Sequence, residues 1–354
     1  MEKIGSVYDA SLDELRAFVT GLGEPAYRAD QIWHWLYQRL APDYQSMTNL
    51  PLSLRDRLAD SLPFPEPSVA ASQLSSDGQT QKLLWEQDDG SYIESVLMRY
   101  SKRRTLCIST QVGCAMGCVF CATGQMGFRR NLTTGEIVYQ VIHFARKLAL
   151  DGDRVTNIVM MGMGEPLHNY RSTLAAADTL SDGQGFGLGA RKLTISTVGL
   201  VPAIYRFADE NRQYGLAISL HAADDEERKR LIPIAERWPL VEVMNAARYY
   251  STKTGRRITF EWALIRGEND SPEVAQKLGR LLQGMLCHVN LIPLNPTQNY
   301  GGKPSSKVQV LSFQQELERF SVSSTVRVRR GIDIQAGCGQ LRDRVLRTDK
   351  DADS

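Results

Sequence analysis

Apolar residues along the chain keep two different rhythms, and the change from one to the other divides it. Over residues 1–65, Leu12, Leu15 and Phe18 recur at helical spacing, as do Ile32, Leu36, Tyr37 and Leu40 before Pro51. No strand signal interrupts them, so a small helical domain is expected there. Pro63-Phe64-Pro65-Glu66-Pro67 makes a stiff break. Residues 66–103 then read as a linker and a β-hairpin extension, with strand-like runs at Lys82–Trp85 and Tyr92–Met98 around an Asp88-Asp89-Gly90-Ser91 turn.

Over residues 104–354 a strand-then-helix rhythm repeats about six times, the pattern of a parallel sheet. The expected strands centre on Leu106-Cys107-Ile108, Asn157–Met160, Leu193–Ser196, Leu216–Leu220, Ile258–Glu261 and Val289–Ile292. Six strands are too few to close an eight-stranded barrel, so the fold class is α/β, an open, partial six-stranded β/α barrel. Chemistry belongs at the carboxyl ends of its strands.

Composition adds limits rather than function. Hydrophobic residues at 42% and charged residues at 23% are ordinary globular values. No apolar run nears the roughly 18 residues of a spanning helix, and Met1–Ser6 lacks a secretory pattern. A cytoplasmic protein with no membrane partner is expected. Six cysteines in a reducing compartment point to metal or catalytic roles rather than disulfides. Net charge is only +2, so a nucleic acid would be held by local patches: Lys102-Arg103-Arg104, Arg129-Arg130, or Arg327, Arg329, Arg330, Arg342, Arg344 and Arg347. Each could equally be a solvated face.

The strand ends carry the chemistry. Cys114-x-x-x-Cys118-x-x-Cys121 follows the first strand; three thiolates in one loop can hold three corners of a 4Fe-4S cube and leave one iron open. Structural zinc is the competing reading, but zinc sites pair two Cys-x-x-Cys units and no second pair exists. Thr133-Thr134-Gly135-Glu136 then opens a helix as a capping box. Gly162-Met163-Gly164-Glu165-Pro166 could let a ligand approach the backbone and bind an ammonium, or be a plain turn. Ser196, Ser219-Leu220-His221 and Asn295 end later strands with hydrogen-bonding groups, although His221 could be a packed core histidine. The glycine-rich run 183–189 precedes a strand and is read as a turn, and Asp224–Glu227 as a helix start. Cys338 lies among small residues near basic side chains, as a nucleophile would. Cys107 is expected at a strand end facing the same cavity, where two thiols that meet form a reducible pair. Cys287 reads as core packing.

Taken together, these motifs resemble the radical S-adenosylmethionine (SAM) RNA methyltransferases of the RlmN/Cfr family. The match runs from the helical domain to the last cysteine, through Cys121-Ala122-Thr123-Gly124, Gly127-Phe128-x-Arg130-Asn131-Leu132-Thr133, Asn290-Leu291-Ile292-Pro293 and Cys338-Gly339-Gln340-Leu341. The resemblance implies a radical SAM barrel, a 4Fe-4S cluster on Cys114, Cys118 and Cys121, and SAM held by Gly164, Glu165, Ser196, Ser219, Leu220, His221 and Asn295. It implies that Cys338 takes a methyl group, that Cys107 resolves an RNA adduct through a transient disulfide with Cys338, and that Glu94 accepts a proton. From the sequence alone Glu94 would be an exposed strand carboxylate.

The branch follows from Gly164-Glu165-Pro166, since Cfr-type proteins carry Ala at the Pro position. The RlmN branch methylates carbon 2 of an adenosine in 23S rRNA and, in some bacteria, of the adenosine beside the tRNA anticodon; Cfr methylates carbon 8 and confers antibiotic resistance. Implied partners are 23S rRNA, with tRNA left open, and an electron donor such as flavodoxin. The helical domain would bind RNA, and a monomer is expected because the RNA is large. Two readings compete with this one: a non-catalytic iron-sulfur RNA-binding protein, and a radical SAM enzyme on a small molecule.

Overall fold

The computed structural model describes residues 5–65 and 67–342. Three helices come first, α1 (Leu12–Gly21), α2 (Tyr27–Tyr37) and α3 (Leu52–Ser61). A capping box between Ser11 and Glu14 starts α1, and Leu15, Val19, Ile32, Trp33, Leu36, Leu54 and Leu58 turn inward. The proline-rich break contributes to this packing. Phe64 stands edge-on to Tyr44 at 4.8 Å and to Tyr8 at 5.8 Å.

Strands β1 (Ser68–Leu74), β2 (Thr80–Glu86) and β3 (Tyr92–Arg99) form an antiparallel meander that continues into β4 (Arg104–Cys107). After β4 come β5 (Gln111–Gly113), α4 (Ala122–Gln125), β6 (Phe128–Asn131), α5 (Thr134–Leu150), β7 (Asn157–Met160) and α6 (Tyr170–Ser181). Then follow β8 (Leu193–Thr197), α7 (Val201–Asp209), β9 (Gly215–Ser219), α8 (Asp225–Leu231), α9 (Leu240–Thr254) and β10 (Ile258–Leu264). The last elements are α10 (Pro272–Leu282), β11 (Cys287–Pro293), α11 (Lys307–Arg319) and β12 (Ser324–Val326).

The main sheet has ten strands in the order β1-β2-β3-β4-β7-β8-β9-β10-β11-β12, and β5 pairs with β6 apart from it. All six expected parallel strands are present. The sheet extends further, because β12 adds a seventh parallel strand beside β11 and β1 a third antiparallel one beside β2. Both were missed for a physical reason: β12 has three residues, and β1, Ser-Val-Ala-Ala-Ser-Gln-Leu, is mostly exposed and lacks alternation. The barrel is open, since no ladder joins β12 to β1 among the described residues.

The helical domain docks on the barrel at several points, among them Arg146 of α5, which donates to Leu40 O (3.0 Å) and Tyr8 Oη (3.0 Å). Asp9 Oδ1 accepts the Gly135 N–H (2.6 Å) at the start of α5, and Trp33 Nε1 donates to Asp182 Oδ2 (2.8 Å) after α6. A Cβ on Gly185 would stand 2.8 Å from Trp33 Nε1, and Gln38 donates to the Gln184 carbonyl (3.0 Å). The glycine-rich run is therefore a ledge for α2. Among the described residues no helix is long and apolar enough to cross a membrane.

Candidate active site

The cysteine loop is folded back tightly on itself. A Cβ on Gly113 would lie 1.9 Å from the Gly127 carbonyl oxygen, and one on Gly124 would lie 2.9 Å from Cys118 N and O. Cys114, Cys118 and Cys121 consequently line one cavity of about 1030 Å³ at the carboxyl ends of the strands. Burial pushes all three thiols up, Cys114 to about 12, while main-chain N–H groups favour the thiolates: Met116 at Cys114, Gly124 and Thr123 at Cys121. Among the described residues no His, Cys, Asp or Glu set is gathered closely enough for a single metal ion. Three sulfurs spread round one cavity, two of them partnered by N–H groups, suit a multi-iron cube with anionic ligands.

The same cavity collects Gly164, Glu165, Ser196, Ser219, His221 and Asn295. Gly164 has φ +100°, and a Cβ there would lie 2.5 Å from the Gln111 side chain, so only glycine fits. Glu165, 2% exposed, accepts the Leu167 N–H on Oε1 (3.0 Å) and the Val198 N–H on Oε2 (2.8 Å). Burial pushes its carboxyl up to about 7 against those N–H groups, a setting in which a ligand ammonium would favour the carboxylate. His221 sits at φ +59° with Nδ1 accepting the Ala263 N–H (2.9 Å); burial lowers it to about 3, so the ring is neutral. It is a packed histidine that also lines the cavity. Leu220 is not brought there: its side chain is fully buried, its N–H donates to the Glu261 carbonyl (3.1 Å) and its carbonyl accepts the Ala222 N–H (2.8 Å).

The segment bearing Cys338 is stitched over the mouth. Ala122 N–H donates to Gly339 O (2.7 Å), Thr123 Oγ1 to Leu341 O (2.7 Å) and Asn295 Nδ2 to Cys338 O (3.1 Å). Cys338 lines the cysteine cavity and also a neighbouring one of about 660 Å³, in which Cys107, Arg327 and Met161 lie. Cys107 therefore faces Cys338 from this second cavity rather than from the first. Burial pushes Cys107 up to about 12, whereas Cys338 is exposed, and at both sulfurs Arg327 favours the thiolate.

Glu94 is 3% exposed and lines neither cavity, contrary to the exposed carboxylate expected from its sequence. Its Oε1 pairs with Lys82 Nζ (2.8 Å) and its Oε2 accepts the Arg342 N–H (2.8 Å), while burial raises its pKa. Lys82 Nζ also lies 3.4 Å from Gln335 O. This pair grips the tail on both sides of Cys338. Sequence reasoning missed Lys82, and only its place directly before the apolar residues Leu83-Leu84-Trp85 hinted at burial. Glu261 was missed too; it binds Asn290 (2.8 Å) and faces Arg327 at 3.5 Å.

Several basic residues considered as nucleic-acid patches are committed elsewhere. Arg104 pairs with Asp153, Arg130 with Asp89 and Glu136, and Arg327 with Glu261; Arg330 stacks on Tyr100. Lys102, Arg103 and Arg129 are exposed, and Arg129 shares an opening beside the cysteine loop with Arg342. Arg344 and Arg347 lie outside the described residues.

An open parallel barrel with a three-cysteine loop after its first strand defines a radical SAM enzyme, which uses a 4Fe-4S cluster and SAM. Residues 108–278 match the family model of the radical SAM superfamily, and residues 6–62 that of the ribosomal RNA large subunit methyltransferase N-terminal domain. A dual-specificity RNA methyltransferase RlmN 1 of Myxococcus xanthus is 52% identical, over 97% of this chain and 95% of that protein. A ribosomal RNA large subunit methyltransferase N of Nitrosopumilus maritimus is 48% identical, over 93% and 96%. The crystal structure of a radical SAM methyltransferase from Sphaerobacter thermophilus superposes with a TM-score of 0.93 at 50% identity, covering 95% of this chain and 99% of that one. The chain belongs to the RlmN family of radical SAM dual-specificity RNA methyltransferases.

The Gly164 geometry gives a first test. Gly164→Ala is expected to weaken SAM binding about 100-fold, since the strained turn must move to clear Gln111, and calorimetry on reconstituted protein measures it.

Proposed function

We propose that this enzyme methylates carbon 2 of an adenosine in 23S rRNA, through a methylated Cys338 and a transient Cys107–Cys338 disulfide. The observation that carries this reading is the position of Cys338, shared between the cavity of the three cysteines and the cavity of Cys107. Cys114, Cys118 and Cys121 would hold the cluster, and Gly164, Glu165, Ser196, Ser219, His221 and Asn295 would hold SAM, with Leu220 contributing main chain only. When bound, these groups supply a methyl group and a 5′-deoxyadenosyl radical.

Carbon 2 of adenine lies between two ring nitrogens and is too electron-poor to displace a methyl group itself. Cys338 Sγ, as thiolate, takes the methyl instead. After the S-methyl carbon loses a hydrogen atom it bonds carbon 2; the adduct then gives up the carbon 2 proton and one electron, which would return to the oxidised iron-sulfur group held by Cys114, Cys118 and Cys121. Glu94 is assigned as the proton acceptor; its raised pKa supports that role, and it is linked to the reacting segment through Arg342. Cys107 Sγ, as thiolate, then attacks Cys338 Sγ: the S–S bond forms, the Cys338 S–CH2 bond breaks, and the product carbon gains a proton. Two electrons from outside must reduce the disulfide before the next turnover. Arg327, between the two thiols in charge if not in contact, favours the thiolate that each step needs.

RNA would lie across the mouth, on Arg129 and Arg342, with the target base extruded into the site. The adenosine beside the tRNA anticodon is a second substrate in this reading, a flavodoxin-type protein the electron donor, the cytoplasm the location and the monomer the working form. Nucleoside mass spectrometry tests it, on rRNA and tRNA lacking the modification after anaerobic incubation with reconstituted enzyme, SAM and reductant. 2-Methyladenosine is expected. 8-Methyladenosine would move the enzyme to Cfr-type chemistry, and unmodified RNA with a full cluster would overturn the reading.

A further inference from the structure

One buried cation beside the cysteine loop has no ion-pair partner among the described residues. Arg228, in the last turn of α8, is 1% exposed. Its Nη1 donates to Trp238 O (3.3 Å) and its Nη2 to Val198 O (2.5 Å), whereas its Nε has no partner. Among the described residues no carboxylate lies within ion-pair distance of it, and Asp225 is engaged by the Leu240 N–H (2.6 Å). A guanidinium left this way inside a protein is costly unless an anion sits near.

The surroundings indicate where that anion belongs. α8 packs directly on the cysteine loop: Val119 N–H donates to Leu231 O (3.1 Å), and a Cβ on Gly117 would stand 3.7 Å from the Pro233 ring. Burial lowers Arg228 to about 10, and the group acting most strongly to restore its charge is the Cys118 thiolate. The peptide that binds Nη2 belongs to Val198, whose N–H holds Glu165 on the SAM side of the same cavity (2.8 Å). Arg228 is thus carried by the helix that packs on the cysteine loop, and it lines neither the cavity of the three cysteines nor that of Cys107.

We propose that Arg228 is the counter-charge of the iron-sulfur cluster, a positioning residue whose fixed positive charge beside Cys118 makes the cluster easier to reduce. This rests on Cys118 being a cluster ligand. One-electron reduction adds a negative charge to a cluster already carrying three thiolates, and a buried cation at short range offsets it far more than solvent charges can. The backbone contacts of Arg228 alone would be satisfied by any donor of similar shape, but the charge effect would not.

The test is anaerobic redox titration of reconstituted wild type, Arg228→Met, Arg228→Gln and Arg228→Lys with dithionite, followed by electron paramagnetic resonance, with iron counted in each. At a solution potential that half-reduces wild type, the two neutral variants are expected to hold about tenfold less reduced cluster at equal iron content. Arg228→Lys should reduce nearly as wild type does. Neutral variants that titrate with wild type, or a lysine variant that titrates with the neutral ones, would overturn the proposal. If the neutral variants fold but load no iron, loading and reduction of Arg228→Lys support a role for charge; failure of Arg228→Lys to load would overturn it in favour of packing. Failure of the underlying reading looks different, because wild type itself would then bind no iron.

Discussion

Replacing Cys338 by alanine is expected to reduce RNA methylation by at least about 10,000-fold while SAM affinity stays within about twofold. The reason is local. The tail that carries Cys338 is held by main-chain groups of Cys338, Gly339, Leu341 and Arg342, none of which involves the sulfur. Removing Sγ leaves that seam intact and takes away only the sulfur proposed to accept the methyl group. Mass spectrometry of the modified nucleoside, alongside calorimetry with SAM, separates the two properties. Near-normal methylation by the alanine variant would exclude the covalent route through Cys338.

Lys82→Met is expected to cost about 3–5 kcal/mol of stability, measured by chemical denaturation, because it strands the buried Glu94 carboxylate. Lys82 and Glu94 are both more than nine-tenths buried. Glu94 would then retain the Arg342 N–H but lose its counter-charge, and the contact of Lys82 with Gln335 O would go as well. The double change Lys82→Met with Glu94→Leu should recover much of the stability, since replacing both members of a buried pair costs far less than removing one. It should not recover methylation if Glu94 receives the carbon 2 proton. A single variant as stable as wild type would mean that Glu94 is neutral in the folded protein.

The sequence was most legible where one residue type at fixed spacing does the chemistry. Cys114, Cys118 and Cys121 meet at one cavity because their spacing is local, and the capping box at Thr133 and Glu136 opens α5 as the motif requires. The six expected parallel strands were readable from apolar runs bounded by polar residues. Contacts that depend on where a distant segment returns were not. Nothing near Glu94 in the sequence announces that Arg342, 248 residues later, will bind it, and Arg327, grouped with surface arginines by its neighbours, enters the barrel because β12 carries it there. Burial of charge is a tertiary property, and Lys82, Glu94 and Arg327 share that one source of error.

The meander on the flank of β4 bears on solubility. An open barrel must leave its first strand with unpaired N–H and C=O groups, and here that strand ends in Cys107. β1, β2 and β3 transfer the raw edge three strands away, to a segment of serine, alanine and glutamine whose register slips between Val69 and Ala71. Such a bulged, weakly apolar border is a poor template for another chain. The sheet therefore ends where sticking is least favoured, and strand addition between molecules is kept away from the thiol.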